Sequence, residues 1–542
     1  MNKIDAPKPE EFSKGRCPFC GIEIKNNLGH HIRETHGEKQ FKQAVLMAKS
    51  SGMSDPEIGA HFGISFRQLE QIITEAYGAN ISVLGRPKKI RTWSPKNFQE
   101  ETTTVWSFKQ RGNWATHDGR YRGNWSPYIP RNVIIKYSKP GEVVLDYFVG
   151  GGTTAIEAKL LGRRCIARDI NPEAIKLTRE NLRFTLPQCK LNEQIYEPKV
   201  SEGDARNLID IDDSTIDLIC AHPPYAGIIN YSSAVEGDLS KLSVEEFLTE
   251  MSKVARESFR VLKPNGKCAI LIGDARKAKH VIPIGFQTIR VFLNTGFVLR
   301  ELVIKRQHNC KTTGFWYNRS IQHNFLLLAH EYLPIFEKPG ANHRLLEETV
   351  WEHKHISEKG VFWEYKLPYQ AISERIKKIK KEKLETTTVW IFPEKKLNSE
   401  IKRNLLNRFL ERKSRFIEVK FEDNIVKLST TTKNKLSLVY IAPPEKLNDH
   451  KEVTAYRKAV QEIAEQVISL LSTNGFFVVD TKDVRVNGVL QPMALLLWED
   501  LSKYNDFIIK EIVIVVPEEL PLKTFNEFLQ IVHRYLLIFR KK

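Results

Sequence analysis

The sequence predicts an α/β protein in which one open-sheet domain is followed by a shorter version of itself, behind two small N-terminal modules. Three observations carry that expectation. Residues 143–154, VVLDYFVGGGTT, run from an apolar strand through a glycine turn into the helical AIEAKLLG. The letters ETTTVW at 101–106 return at 385–390, and a repeat is the first thing to look for in a chain of this size. Residues 17–36, CPFCGIEIKNNLGHHIRETH, hold two cysteines and two histidines at metal-ligand spacing.

The 542 residues allow roughly three or four domains at ~150 residues each. There are 83 Lys and Arg against 65 Asp and Glu, a formal net charge of +18. Such a surplus favours a polyanionic partner, most simply nucleic acid. No apolar run backs the lysine of MNKIDAPKPEEF, and no stretch stays apolar for ~20 residues, so neither a secretory signal nor a membrane span is expected. Of the seven cysteines only Cys17 and Cys20 form a CxxC pair. The single scatter of the others argues against disulfides and for a cytoplasmic location.

Residues 1–45 form the first module. Cys17, Cys20, His31 and His36 supply two thiolates and two imidazoles, which suit tetrahedral zinc, with His30 as an alternative to His31. So short a segment builds no core alone, and metal binding would supply its folding energy. It resembles a Cys2His2 zinc finger, two residues short between the second cysteine and the first histidine. Residues 46–82 form the second module. Asp55 and Pro56 start a helix, Ile58 and Phe62 share a face, Gly63 breaks it, and Ser65 caps a second helix whose Leu69, Ile72 and Ile73 turn inward. Two short helices about a glycine turn resemble a helix-turn-helix. Arg67, Gln68 and Gln71 would face outward, where such a helix reads bases. A basic linker, 83–100, follows.

Residues 101–340 are expected to be the first α/β domain. Strand, glycine turn and helix at 143–160 are how a Rossmann-like fold brings backbone close to a nucleotide-type cofactor. RCIARDINPEAI (164–175) reads as the next strand, ending at Asp169, where a ribose would need an acceptor. A third strand ends at Asp204, where an adenine amino group could donate. In STIDLICAHPPYAG, a strand over 216–220 delivers His222, Pro223, Pro224 and Tyr225 to the carboxyl edge, where open sheets bind ligands. Two prolines fix the backbone and leave rigid carbonyl acceptors. Tyr225 offers a flat face, and the combination suits the amino group of a flipped-out base.

With DYFVGGGTT followed by HPPY, and with GNWSPYIPRNVIIKYSKPGEVVLD and VARESFRVLKPNGKCAILIGD flanking them, residues 101–335 resemble the amino methyltransferases of DNA. That family moves a methyl group from S-adenosylmethionine to N6 of adenine or N4 of cytosine. The resemblance implies that Asp146, Phe148, Gly150, Gly152 and Thr153 hold the methionine end of the cofactor, Asp169 its ribose and Asp204 its adenine. It implies a catalytic role for His222, Pro223, Pro224 and Tyr225. His222 stands where the family has Asp, Asn or Ser, which leaves the choice of base open. As an acceptor it would have to be neutral, so methyl transfer is expected to fall as pH drops through the histidine range.

The second ETTTVW opens residues 385–542. After it VYIAPPE replaces ICAHPPY, and IAEQVISLLSTNGFFVVDTKDVRVNGVLQPMALLLWEDL follows the pattern of VARESFRVLKPNGKCAILIGDARKAKHVIPIGFQTIRVFL. No glycine loop precedes Ala442-Pro443-Pro444-Glu445, and no aromatic follows the prolines. A degenerate, cofactor-free methyltransferase-like domain is expected, with RFIEVKFED (415–423) as the strand entering its site. The join at 341–384, including ISERIKKIKKEKLE, reads as a basic helix-like linker. The partner implied is double-stranded DNA, with a cognate restriction endonuclease where the setting is restriction–modification. A monomer would suffice if the second copy acts as an internal partner. Two rivals stand: an RNA base amino methyltransferase, and a non-catalytic DNA-binding regulator.

Overall fold

The computed structural model describes residues 16–24, 28–50, 53, 55–65, 68–69, 72, 90–117, 123–185, 194–225, 237–308, 320, 322–340, 370–375, 384–410, 415–421, 436–520 and 527–542. Near the N-terminus a β-bridge joins Arg16 to Glu23, and helices α1 (Leu28–His36), α2 (Glu38–Ser50) and α3 (Asp55–Phe62) follow. The expected boundary at 45/46 is corrected here. Cys17, Leu28, Ile32, Phe41, Val45, Ile58, Phe62, Leu69 and Ile72 bury one shared core. Either half alone has too little apolar surface to fold, and α2, which the motifs did not announce, gives both a common ridge. Gly29 permits the approach: a Cβ there would lie 1.9 Å from the Phe62 carbonyl oxygen. Ser65 starts the next helix as expected, its hydroxyl accepting from Gln68 N–H while Gln68 Oε1 accepts from Ser65 N–H.

The first sheet has eight strands. In chain order they are β1 (Val105–Ser107), β2 (Val143–Asp146), β3 (Arg164–Asp169), β4 (Lys199–Glu202), β5 (Ile216–Ala221), β6 (Leu262–Ile270), then, past the small hairpin β7–β8 (Ala275–Lys277, His280–Ile282), β9 (Val298–Arg306) and β10 (His330–Glu337). Their spatial order is β1-β9-β10-β6-β5-β2-β3-β4, with β10 antiparallel to both neighbours. Chain order reverses between β2 and β5, so a crevice opens there beyond the carboxyl ends of the strands. Part of the stretch read as linker belongs to this domain: Trp93 packs on Phe184, and Ala115 N–H donates to the Thr92 carbonyl.

The second sheet repeats the pattern in shortened form. Its strands are β11 (Gln370–Arg375), β12 (Val389–Phe392), β13 (Arg415–Lys420), β14 (Leu436–Ile441), β15 (Leu471–Thr481), β18 (Phe507–Pro517) and β19 (Arg534–Lys541), with a hairpin β16–β17 (Val484–Val486, Val489–Gln491) outside it. The order is β11-β13-β14-β15-β19-β18-β12. β12 runs parallel to β18 as β1 does to β9, and β14 parallel to β15 as β5 does to β6. β13 lies parallel to β14, as β2 lies to β5, in agreement with the reading of RFIEVKFED. Among the described residues nothing corresponds to β3 and β4. The helix-like reading of ISERIKKIKKEKLE is corrected for its first four residues: Gln370–Arg375 is an edge strand antiparallel to β13, and 376–383 lie outside the described residues. An edge that β3 would have covered leaves a row of unpaired backbone groups, and pairing satisfies them.

The repeated hexapeptide lies where the halves meet. Thr104 N–H donates to the Gln530 carbonyl and Gln530 N–H to that of Thr102, while Thr388 N–H donates to Leu327 and Leu327 N–H to Thr386. Thr104 Oγ1 is 2.8 Å from His533 Nδ1, and Thr388 Oγ1 is 2.8 Å from His330 Nδ1. Each histidine continues to a tyrosine and a buried acid, Tyr535 and Asp483 or Tyr332 and Asp274. Arg276 pairs with Glu511 and Arg485 with Glu301, again reciprocally. Trp106 and Trp390 are fully buried, each donating to the second threonine's carbonyl. These contacts are exchanged, as in an isologous dimer interface, and one apolar core runs through both halves. Among the described residues no helix is long and apolar enough to cross a membrane.

Candidate active site

Apolar β2 carries the chain to Asp146, and the turn that follows is held by its own neighbours. Phe148 N–H donates to Asp146 Oδ1, Gly150 N–H to Asp169 Oδ2, and Gly151 N–H to Asn124 Oδ1. Gly150 and Gly152 have φ of +52° and +87°, the left-handed region that a glycine enters without strain. A Cβ on Gly152 would also lie 3.1 Å from Thr178 Cγ2. Gly152 precedes helix α5 (Thr153–Leu160), which follows α4 (Tyr128–Tyr137), and caps it through its backbone alone.

A cleft of about 810 Å³ including its mouth opens at the crevice. Phe148, Gly150, Asp169 and Asp204 line it on one side, and His222 and Pro224 on the other. Cofactor turn and Pro-Pro motif therefore share one cavity. Asp146, Gly152 and Thr153 are not among its lining residues. Asp146 is buried and turned into the loop, and burial raises its carboxyl to about 7. All three belong to the turn, the strand end before it or the start of the helix behind it. Asp169 accepts from Gly150 and Asn171, and burial raises it to about 6. Asp204 is held by Arg206, which lowers its carboxyl despite partial burial.

The sequence reading missed Asn124, Trp125 and Asp238, all in the wall. Trp125 stacks on His222 with ring centroids 5.6 Å apart. GNWSPYIPRN was noticed as a familiar stretch, but nothing in its spacing assigned a role to its asparagine or tryptophan.

His222 Nε2 is 3.0 Å from the Tyr225 hydroxyl, which donates to Glu331. A phenol has one hydrogen to give, and Tyr225 gives it to Glu331; the His222 ring also hydrogen-bonds to the Gly123 backbone. Burial pushes the His222 pKa down to about 4, with Glu331 opposing it. Burial holds the ring neutral to below the ordinary histidine range, because the enclosing walls disfavour its charged form.

At the N-terminus the ligand atoms of Cys17, Cys20, His31 and His36 all lie within 4.8 Å of one another. His36 Nε2 is buried without a hydrogen-bond partner among the described residues, while His30 is exposed. Two sulfurs, two nitrogens and an orphaned imidazole nitrogen fit a tetrahedral zinc site with His31, not His30, as ligand. Of the base-reading candidates, Gln68 is exposed with its carboxamide oxygen engaged in the cap. Arg67 and Gln71 lie outside the described residues.

The sequence model of a DNA methylase family matches residues 30–180 and 216–435, more than half of the chain. The chain belongs to that DNA methylase family. A model of RNA cap guanine-N2 methyltransferases also matches residues 141–267. The chain is 35% identical over 89 residues to the type II methyltransferase M2.DpnII of Streptococcus pneumoniae, covering 16% of this chain and 32% of that one. It is 42% identical over 110 residues to the type II methyltransferase M1.MboII of Moraxella bovis, covering 19% and 41%. It is 35% identical over 129 residues to a tRNA (guanine(10)-N2)-dimethyltransferase of Methanothermobacter thermautotrophicus, covering 24% and 34%. The chain spans about a third to two fifths of the length of these relatives.

Proposed function

We propose that the chain methylates DNA at an exocyclic amino group, N6 of adenine or N4 of cytosine, with S-adenosylmethionine as donor. The observation that carries this reading is the shared cleft: His222 and Pro224 of the motif after β5 line the same cavity as Phe148 and Gly150 of the glycine turn after β2. Phe148, Gly150, Asp169 and Asp204 fit the cofactor, which supplies an electrophilic methyl group on a sulfonium. The chain's own residues bind and orient the base. Tyr225 presents a face for stacking, and the Pro223 carbonyl and the neutral His222 accept from the amino group, drawing its nitrogen toward tetrahedral geometry and freeing its lone pair. Enclosure by Trp125 keeps water out.

Nucleoside mass spectrometry of DNA from cells expressing the protein, beside cells expressing Pro223→Ala/Tyr225→Ala, tests it. A new N6-methyladenine or N4-methylcytosine, absent with the variant, is expected. Unmodified DNA from cells with soluble, folded protein would remove the reading. A second reading, methylation of an RNA base amino group, is favoured by the match to RNA guanine-N2 methyltransferases. Methyl incorporation into RNA but not duplex DNA at matched salt would select it.

Two acids of different kind separate binding from chemistry in pH. Loss of the Asp169 carboxylate removes an acceptor, so cofactor affinity is expected to fall as pH drops through about 6. The single-turnover rate at saturating cofactor is expected to hold from pH 8 to about 5 and to fall toward pH 4, where His222 gains its proton. Assays by pH jump from 7.5 avoid acid unfolding. A rate already halved at pH 6.5 would contradict the His222 assignment.

The N-terminal module is read as a zinc-held DNA-binding unit. Cys17→Ser/Cys20→Ser is expected to abolish zinc binding and to open the core of residues 16–72 to protease, leaving the two sheets resistant. Metal analysis with limited proteolysis checks this; full resistance without zinc would count against a structural metal. The second half is read as a degenerate copy that binds no cofactor: it retains Pro443 and Pro444 but has neither glycine turn nor aromatic. The setting we infer is restriction–modification with a cognate endonuclease, in the cytoplasm, with one chain sufficient for activity.

A further inference from the structure

Behind Tyr225 sits a buried acid that the chemistry just described does not use. Glu331, on β10, accepts from the Tyr225 hydroxyl and pairs with Lys305 Nζ at 2.6 Å. Its side chain is 7% exposed. Burial alone would raise its carboxyl, but Lys305 brings it down to about 2, so it is ionised across the working pH range. Gly273 leaves the space: a Cβ there would touch Glu331 Cγ at 3.4 Å and Tyr225 Cζ at 3.6 Å.

The residues on either side of Glu331 face the other way, as alternation along a strand requires. They are the clamp described above: His330 on Thr388 of the second ETTTVW, and Tyr332 on Asp274. Ala329 N–H also donates to Thr388 Oγ1. The second half thus holds the start of the strand whose opposite face meets Tyr225.

The second copy supplies an internal comparison. Between its clamp residues His533 and Tyr535 stands Arg534, an opposite charge, bonded to Asp480. Its Pro-Pro pair is followed by Glu445, with no tyrosine to hold. The acid accompanies the aromatic in the copy that has one, whereas the clamp is kept in both.

We propose that Glu331 is a positioning residue for Tyr225, fixing the hydroxyl, and through it the ring face offered to the base, on a strand secured by the second half. The inference rests on the methyltransferase reading. It is tested in the full-length protein by single-turnover methyl transfer to DNA at saturating cofactor.

Lys305→Met/Glu331→Leu removes both charges and leaves no buried ion alone. It is expected to slow transfer about 10-fold, the worth of a lost hydrogen bond to a charged group, with cofactor affinity unchanged. Lys305→Met/Glu331→Gln restores an oxygen acceptor and is expected to recover the rate to within about threefold. In a Tyr225→Phe background the leucine pair is expected to cost less than about twofold, because the bond it removes is already gone. Equal losses in both backgrounds, or no recovery with glutamine, would overturn the proposal. If the leucine pair does not fold, Glu331→Gln alone runs the same cycle: about a threefold loss is expected in the wild type and none with Tyr225→Phe, and an equal loss in both overturns it. A wild-type protein that transfers no methyl to DNA fails earlier, at the functional reading itself.

Discussion

Methyl transfer by a Tyr225→Ala variant is expected to fall about 5- to 150-fold at saturating cofactor, the kinetic equivalent of the ~1–3 kcal/mol that one base–aromatic stack contributes. Cofactor affinity is expected to stay within about twofold, because Tyr225 meets His222 and Glu331 and not the glycine turn. Tyr225→Phe separates two contributions of the same ring. It keeps the apolar face and loses the hydroxyl that joins His222 to Glu331, so its rate is expected to lie between wild type and alanine. Rapid-quench methyl transfer with calorimetric titration of the cofactor checks both. If alanine weakens cofactor binding as much as it slows transfer, Tyr225 belongs to the cofactor side of the cleft and the base-stacking role is wrong.

What the sequence made legible follows how local each signal was. The glycine turn, the Pro-Pro-Tyr motif and the Cys2His2 set each occupy one short stretch whose residue types match one chemistry, and the fold places each of them together. Glu331 carried no such mark. It reaches Tyr225 across 106 residues, from a strand that reads as ordinary apolar core, and only pairing of β10 with β6 and β9 brings it there. Asn124 and Asp146 show the converse. Asp146, inside the motif, accepts from Phe148 N–H within the turn, while Asn124, outside the motif, accepts from Gly151 N–H. A motif records which residues a turn needs without separating those that touch a ligand from those that shape the backbone.

The hexapeptide was legible as a repeat but not as an interface. Its letters look like the start of a strand, and the three threonines gave no periodicity. Their meaning is reciprocal: the last threonine of each copy meets a histidine of the other, and the first and last exchange backbone bonds across the join. The second half, with no glycine turn in its sequence before Pro443, has no cofactor-binding reason to carry these six residues. It has a structural one, since each copy's hydroxyl satisfies a buried histidine nitrogen in its partner. The edge strand Gln370–Arg375 escaped for a different reason. Its basic composition resembled a solvated helix, and the backbone need of a sheet edge is not written in side-chain pattern.

Arg276→Met is expected to destabilise the protein by about 3–5 kcal/mol at pH 7, and Arg485→Met by a similar amount, because each strands a buried carboxylate. Glu511 and Glu301 have fully buried side chains, and their cations arrive from the opposite copy. Burial already raises the Glu511 carboxyl above its ordinary value, with Arg276 opposing it. Without the arginine it rises further. The cost is therefore present in full at pH well above that raised value, and is lost as pH falls toward the ordinary carboxylate range, where folded and unfolded chains both bind the proton. Arg276→Met/Glu511→Gln is expected to recover most of the loss, since an amide oxygen still accepts from Leu326 N–H without a charge to strand. Denaturant unfolding at pH 7 and 5 measures these differences. Losses below about 1 kcal/mol would mean that water reaches these acids. A large loss for one arginine alone would mean that the two contacts are not equivalent. Comparable losses would show that each half depends on the other for the neutralisation of its buried acid. The second half could then not be removed without unfolding the first, whether or not it ever touches DNA.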